Sequence, residues 1–495
     1  MAGIGFKLKK MLMEDTYSSI FKAYLYSAVI SSGPWLLSIL SLSLLGILSP
    51  VLIHHQELST GGWDIFGATI VYIFAFSLIT TGLITHVISR FIADKIYLGE
   101  YDAIPSSYVS LILIIIVFQG ITSLIFFSVS GGSFLYIVSS VMLYVAISCI
   151  WIALIFLSIS ENYRTIFIIF LLGSLASVTA ALIGGKFLGL PGLIGGYALG
   201  QVFIFFGFTY DIFSNFGIPK EFSFGFYPYG KKYYELILIG FLYYIAIWSD
   251  KFIFWFSDTG NNITGLFYTF NDYDFPLFLS YLTIIPSLTI FLLNIETDFY
   301  HEYRGFYEYI MSKKSYKSIH EKNVNMQKVI RRSLTDLLKI QGMVTFLVIY
   351  FAPGILKMLN VTSEISVQIF RYTSFGAFMH AYVLIISIIL LYFDLRKDVL
   401  VFTIIFAFTN TLFTFISIRI GPDFYGLGQA TGCFVTFIIG LIYLKVRLGQ
   451  IEYLTFIKQP IVNKLNDSED LRARPGGGYG KYIDLIKARS KMHAK

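Results

Sequence analysis

The chain reads as an all-α polytopic membrane protein of about twelve transmembrane helices, in two six-helix halves related by a pseudo-twofold axis along the membrane normal. Three observations predict this. Of 495 residues, 56% are hydrophobic and only 14% charged, with a mean hydropathy of +0.71, which a soluble globular chain of this length does not normally combine. Apolar runs of about 20 residues, the length a helix needs to cross a hydrocarbon core of about 30 Å, recur from end to end. The Lys and Arg residues alternate between the loops that join those runs, dense in one set and sparse in the other.

Taken in order, the predicted spans are residues 23–49, 66–93, 105–129, 134–159, 164–185, 192–214, 234–257, 275–296, 336–355, 366–393, 398–419 and 424–446. The first holds Gly33-Pro34 at its middle. Proline removes a backbone donor there and lipid offers no replacement, so a broken helix is expected, its freed groups facing protein or a wet cavity. Spans three and four nearly merge in hydropathy and must be parted by a turn at Ser130-Gly131-Gly132. Spans six and twelve both open on glycine-rich turns, Leu190-Pro191-Gly192-Leu193-Ile194-Gly195-Gly196 and Tyr425-Gly426-Leu427-Gly428-Gln429. In a membrane such glycines most often permit close helix contact.

The organisation is one membrane domain of two related halves. Residues 1–22 form an amphipathic N-terminal segment, 23–214 a first bundle, 215–233 a linker, 234–446 a second bundle with a basic loop at 300–335, and 447–495 a basic tail. Leu25 to Pro34 of the first span aligns weakly over Leu242 to Lys251 of the seventh, placing Gly33-Pro34 at the height of Asp250-Lys251. A parallel repeat of six plus six spans suits a transporter with its site between the halves.

An even number of spans puts both termini on one side. With the N terminus cytoplasmic, all Lys and Arg residues except Lys186, Lys251, Lys357, Arg371 and Arg419 fall in cytoplasmic loops, tails or helix ends. The net charge of +7 then gathers around Lys313 to Lys339 and in the tail, facing anionic headgroups. Nucleic-acid binding is not expected, because no soluble module accompanies the charge. The first apolar run exceeds the usual signal-peptide core of about 7–15 residues and is expected to remain as a span. Cys149 and Cys433 both fall within spans, which argues against a disulfide framework or a metal site.

Enzyme signatures are scarce. Asp272-Tyr273-Asp274 has the spacing of a nucleotide-sugar metal site but falls on the external side, and His54-His55 lacks the spacing of a ligand set. No Gly-x-x-x-x-Gly-Lys-[Ser/Thr] phosphate loop occurs. The expectation is a transporter with no catalytic residue and no cofactor, driven by an ion gradient, by polymer synthesis or by a partner.

Charges within the bilayer cost about 2.5–3.5 kcal/mol each at a helix centre, so they mark candidate sites. Asp250 and Lys251 fall roughly 9 Å inside the seventh span. A cavity-facing role and a plain one, with Lys251 snorkelling and Asp250 paired to a neighbouring cation, both fit. Arg371 suits pairing with Asp250, contact with an anionic substrate group, or anchoring at the interface. Trp248, with Tyr243, Tyr244 and Trp255, offers flat faces for sugar rings. The candidate substrate or ion pathway is therefore Gly33, Pro34, Trp248, Asp250, Lys251 and Arg371. Arg90, Asp94, Arg164, Glu296 and Asp298 lie near cytoplasmic ends, where headgroup contact is expected. Lys313, Lys314, Lys317, Lys322 and Lys328 suit either partner docking or anionic lipid.

Three segments, Ala2-Gly3-Ile4-Gly5-Phe6, Ile30-Ser31-Ser32-Gly33-Pro34-Trp35 and Trp248-Ser249-Asp250-Lys251-Phe252-Ile253-Phe254-Trp255-Phe256, resemble the PelG family of inner-membrane exopolysaccharide transporters. The resemblance runs to about Thr455-Phe456, and the tail with Pro475-Gly476-Gly477-Gly478 lies outside its pattern. It implies a fold of the multidrug/oligosaccharidyl-lipid/polysaccharide exporter superfamily in the bacterial cytoplasmic membrane, and passage of a polymer rich in N-acetylgalactosamine and galactosamine for the biofilm matrix. It also implies a cytosolic glycosyltransferase and cyclic-di-GMP-responsive membrane proteins as partners. A flippase for a lipid-linked oligosaccharide is the alternative; it would want cations for a diphosphate, whereas a cationic polymer prefers carboxylates and aromatics. A membrane-embedded glycosyltransferase or acyltransferase lacks a motif on the correct side.

Overall fold

The computed structural model describes residues 8, 10–14, 16–53, 61–158 and 163–456. His54-His55, residues 1–7, 9 and 15 of the N-terminal segment and the tail beyond Phe456 lie outside them. Thr16 caps α1 (Tyr17–Leu52) in a reciprocal box with Ser19. Then come α2 (Trp63–Leu98), α3 (Ala103–Ser130) and α4 (Phe134–Leu157), and the predicted turn between the last two is made by Gly131 and Gly132 at positive φ. Tyr163–Phe216 is helical throughout except at Gly189, with φ 62° and ψ −138°, where the chain folds back on itself. The stretch is therefore an antiparallel pair, α5 (163–188) and α6 (190–216). Gly192 meets Gly184, Gly196 meets Ala180 and Gly200 meets Ser177 across it.

The second half follows with α7 (Tyr234–Trp255) and a small antiparallel hairpin of β1 (Asn261–Thr264) and β2 (Phe267–Thr269). Next is α8, the stretch Asn271–Met311. It bends between Asn271–Leu282 and Ile285–Asn294, where Pro286 can take the start of a new helix, and passes through a π-turn at Ile295–Phe299 into Tyr300–Met311. The remaining helices are α9 (Tyr316–Met358), α10 (Glu364–Tyr392), α11 (Arg396–Ile420), α12 (Leu427–Gly449) and the short α13 (Ile451–Phe456). Eleven stretches are long and apolar enough to cross a membrane, and the folded-back pair makes twelve crossings among the described residues.

The two halves repeat one packing scheme. The second span packs on the fourth, the third on the fourth, and the first on the hairpin of the fifth and sixth, in α1–α6 and again in α7–α12. Between the halves the contacts are reciprocal: α2 lies on α7, and α1 on the Ile285–Asn294 part of α8. That exchange is what a twofold axis between equivalent bundles requires. The hairpin α11–α12 repeats the glycine ladder of α5–α6, with Gly428 on Thr414, Gly432 on Asn410 and Gly440 on Phe402.

Two sequence expectations need correction. The first span is not broken at Gly33-Pro34, since α1 is helical from Tyr17 to Leu52. The hydroxyls of Ser31 and Ser32 donate to the Ala28 carbonyl at 3.3 and 2.6 Å, and that of Ser38 to the Pro34 carbonyl at 3.2 Å, so side-chain hydrogen bonds flank the proline, which costs the helix the amide partner of the Ile30 carbonyl without ending it. The segment 300–335 is not a loop but a helical hairpin, formed by the end of α8 and the first half of α9. Ile319, Met326, Ile330 and Leu337 repeat at helical spacing, and their faces bury against Phe306 and its neighbours.

Candidate transport site

Asp250 and Lys251, neighbours on α7, diverge by about 100° around the helix. Asp250 is 1% exposed and turns into the second bundle, where Oδ2 accepts a hydrogen bond from the Tyr273 hydroxyl of α8 at 2.7 Å while Oδ1 has no partner. Lys251 is half-buried, its ammonium 4.4 Å from the Trp248 ring centroid. The two form no ion pair within 4 Å. Trp248 packs against the core of the first bundle, so the Trp248–Lys251 side of α7 faces the seam between the bundles.

Around Asp250 the second bundle gathers further polar groups. The Tyr243 hydroxyl lies 3.2 Å from His380 Nε2 of α10, whose ring stacks on Phe406 and whose Nδ1 is unpartnered. Asn410 of α11 donates to the Ala246 carbonyl at 2.8 Å and to Ser249 Oγ at 3.3 Å, and its Oδ1 is left free. Asp274 of α8 accepts from Trp255 Nε1 at 2.8 Å and from the Phe270 amide at 3.2 Å, with Oδ1 unpartnered. Asp272-Tyr273-Asp274 is thus a fastening for the mouth of the bundle: Asp272 accepts from Ser366, Tyr273 reaches Asp250 and Asp274 holds Trp255. Unpartnered buried acceptors are rare enough in proteins to ask for water, a proton or a cation.

The aromatic candidates divide. Trp255 is fully buried, stacked on Tyr72 of α2 with centroids 4.9 Å apart, and Tyr72 exchanges hydrogen bonds of 3.0 Å with the Tyr268 backbone of β2, so the hairpin clasps α2 to α7. Tyr244 lies where a β-carbon on Gly82 would meet it, at the close approach of Gly82 and Gly240. Trp248, half-buried, is the one of the four at the seam with a cation beside it. Gly33 packs within the first bundle, a β-carbon there lying 3.2 Å from the Phe167 ring of α5, and is not brought to Asp250. Nor is Arg371, which lines a groove between α9, α10 and α12.

At the basic face the seam is tied by charge. Arg90 of α2 lies 3.3 Å from Asp94 and 3.5 Å from Asp394 in the α10–α11 turn, and Arg396 lies 3.0 Å from Asp394. Both guanidiniums stand over the Tyr233 ring at the end of the linker. Arg90 thus joins the bundles to each other, beyond the headgroup contact expected of it, and Asp94 pairs with it within α2. Of the lysine candidates, Lys313, Lys314, Lys317 and Lys328 are exposed, whereas Lys322 is held by Glu302 at 3.1 Å. Tyr273 and Asp274 enter the sequence reading only through an enzyme-like spacing on the external side, and His380 and Asn410 not at all. His380 and Asn410 carried the signal that found Asp250, a polar side chain in an apolar run.

Two equivalent bundles meeting along a polar and aromatic seam define a transporter rather than an enzyme. The chain belongs to the PelG family, described as putative exopolysaccharide exporters, whose profile matches residues 1–456. It is a multi-pass inner-membrane protein associated with exopolysaccharide export. Among solved structures it is similar in fold to an outward-facing multidrug-resistance MATE transporter of the MOP superfamily, with 13% identity, a TM-score of 0.57 and coverage of 86% of this chain and 96% of that one. A MATE protein solved as a single-site mutant gives 15% and 0.62, with the same coverage. A MOP-superfamily transporter from Pyrococcus furiosus, titled for the reverse polarity of its binding pocket, gives 14% and 0.57, again over 86% and 96%. A comparison with curated protein sequences found no match.

Proposed function

We propose that this transporter exports a Pel-like polysaccharide, rich in N-acetylgalactosamine and galactosamine, across the bacterial cytoplasmic membrane along the seam between its bundles. The observation that carries the reading is the family match over residues 1–456. The interior supports it: unpartnered acceptors on Asp250, Asp274 and Asn410 suit ammonium groups or a coupling cation, and Trp248 presents an aromatic face at the seam. Asp250 belongs to the ion pathway in this reading, with Lys251 and Trp248 on the substrate side. Deleting the chain should abolish extracellular polymer while the glycosyltransferase still consumes donor sugar; undiminished secretion would remove the reading.

The basic face is cytoplasmic in this reading, both termini included. Cysteines placed at Asn261 or Asp423 should react with an impermeant label in intact cells, and one at Lys314 should not. The exposed lysines Lys313, Lys314, Lys317 and Lys328 dock a cytosolic glycosyltransferase or a cyclic-di-GMP-responsive membrane partner. The helical hairpin favours protein over lipid here, because its tip stands ~30 Å beyond the apolar part of α9, several times the Debye length of about 8 Å. Changing these lysines to Gln should reduce partner recovery in a pull-down without affecting membrane insertion, and unchanged recovery would eliminate the docking face.

A further inference from the structure

Arg371 lies two turns into α10, about 10 Å from the helix start at Glu364. It lines a groove of about 430 Å³, walled by Ile349 of α9, by Gln368, Tyr372 and Phe375 of α10, and by Thr431 and Phe434 of α12. Helices α9 and α12 each pack on α10 and leave this space between them. Around it Phe346, Tyr350 and Phe434 are exposed and apolar, so the groove opens on the lipid-facing side of the bundle and not on the seam. Among the described residues no carboxylate lies within 4 Å of the Arg371 guanidinium and no protein acceptor takes its hydrogen bonds.

A cation at this depth is costly without a counter-charge. The anion available from the membrane is a lipid phosphate, and the walls beyond the guanidinium are apolar. Guanidinium and phosphate make strong charge-assisted, commonly bidentate hydrogen bonds. Gln368, Arg371 or Tyr372, and Phe375 follow one helical face, grading from polar near the helix start to apolar deeper in. An amino-sugar polymer offers neither the anion nor the chain.

We propose that this groove is a binding site for one anionic phospholipid, its phosphate on Arg371 with Gln368 beside it and an acyl chain along Phe375 and Phe434. The lipid fills the gap between α9 and α12 and fastens the outer wall of the second bundle. This holds whatever substrate is exported.

The test is native mass spectrometry of the purified protein titrated with phosphatidylglycerol. Wild type should retain one lipid about tenfold more tightly than Arg371→Gln, the loss expected for one charge-assisted contact. Arg371→Lys should retain it in part. Thr431→Phe, which fills the groove and leaves the charge, should also lose it, and decides the matter if Arg371→Gln fails to fold. Glycerol 3-phosphate, with no acyl chain, should not compete. Equal retention by wild type and either Arg371→Gln or Thr431→Phe, at matched melting temperature in lipid-free detergent, would overturn the proposal. Competition by glycerol 3-phosphate would overturn it too, pointing to free phosphate.

Discussion

In α5–α6 a ladder of glycines brings two backbones together, and the hydrogen bond across it, from Gln201 Nε2 to Ser177 Oγ at 3.1 Å, stays inside the hairpin. In α11–α12 the same ladder returns, yet Asn410, on which Gly432 packs, reaches out to α7 and donates beside Asp250. The first copy reaches its own bundle through Tyr197, 3.3 Å from Ser41 of α1, and Thr209, 2.7 Å from Tyr108 of α3, whereas the second reaches the span that carries the buried carboxylate. Close backbone contact needs only small residues, and both copies supply them. Polar contacts need particular partners at particular heights, and the buried acceptors of Asp250, Asp274 and Asn410 gather in the second half. The two halves share a frame and differ in the polar groups set on it.

The largest effect should come from the frame itself. A β-carbon on Gly196 would lie 2.2 Å from the Ala180 carbonyl oxygen, and one on Gly432 2.7 Å from the Asn410 Cα, contacts with backbone that cannot yield. Gly196→Leu and Gly432→Leu should each abolish folded protein, read as loss of the monodisperse peak in detergent gel filtration. If only one did, the two ladders would not be equivalent. The chemistry comes next. Asp250→Asn should cut polymer secretion at least about tenfold at normal protein levels, a barrier change of about 1.4 kcal/mol, whereas Gln201→Ala should cost less than about threefold. Equal losses would erase the distinction between the copies.

Smaller effects belong to the basic face. Arg90 and Asp394 tie the bundles through a partly exposed pair, so a double-mutant cycle of Arg90→Gln and Asp394→Asn should give a coupling of about 0.5–1 kcal/mol in thermal unfolding. Asparagine is the right replacement because Asp394 sits at φ 56°, a conformation asparagine tolerates. Zero coupling would leave the seam held by packing alone. The smallest effect is the dock of α13. Burial would raise the Glu452 carboxyl, but hydrogen bonds from Asn323, Tyr316 and His320 outweigh it and hold the group below the usual glutamate range. A depressed folded-state pKa gives stability above the unfolded value of about 4.3 that fades as pH falls through the lower folded one. Hydrogen exchange in α13 should accelerate only in that acid window, and Glu452→Gln should remove the pH dependence.

Much of this frame is legible in the sequence, because hydropathy and Lys/Arg bias are local properties. Twelve apolar runs give twelve crossings, and even the sharp fold at Gly189 falls between two predicted spans. The helical hairpin at 300–335 went unread as structure because charge masked a buried stripe of Ile319, Met326 and Ile330. Pro34 misled because a proline removes one backbone hydrogen bond without having to end a helix, and α1 runs through it from Tyr17 to Leu52. At the site, Asp250 stood out as a membrane charge, but its surroundings depend on distant partners. Asn410 meets the Ala246 carbonyl 164 positions away, and nothing local links them.

Helix α9 is one unbroken rod of 43 residues, ~65 Å long, about twice the thickness of the hydrocarbon core. Half of it stands in the bilayer against α10, and the other half carries the exposed lysines. The water-side arm is fastened rather than free: Ile319, Met326 and Ile330 are buried, Lys322 is held by Glu302, and Gln327 donates to the Leu448 carbonyl at the end of α12 at 3.0 Å. One continuous helix therefore belongs to two packing environments, so the register of the hairpin and the register of the membrane wall are set together.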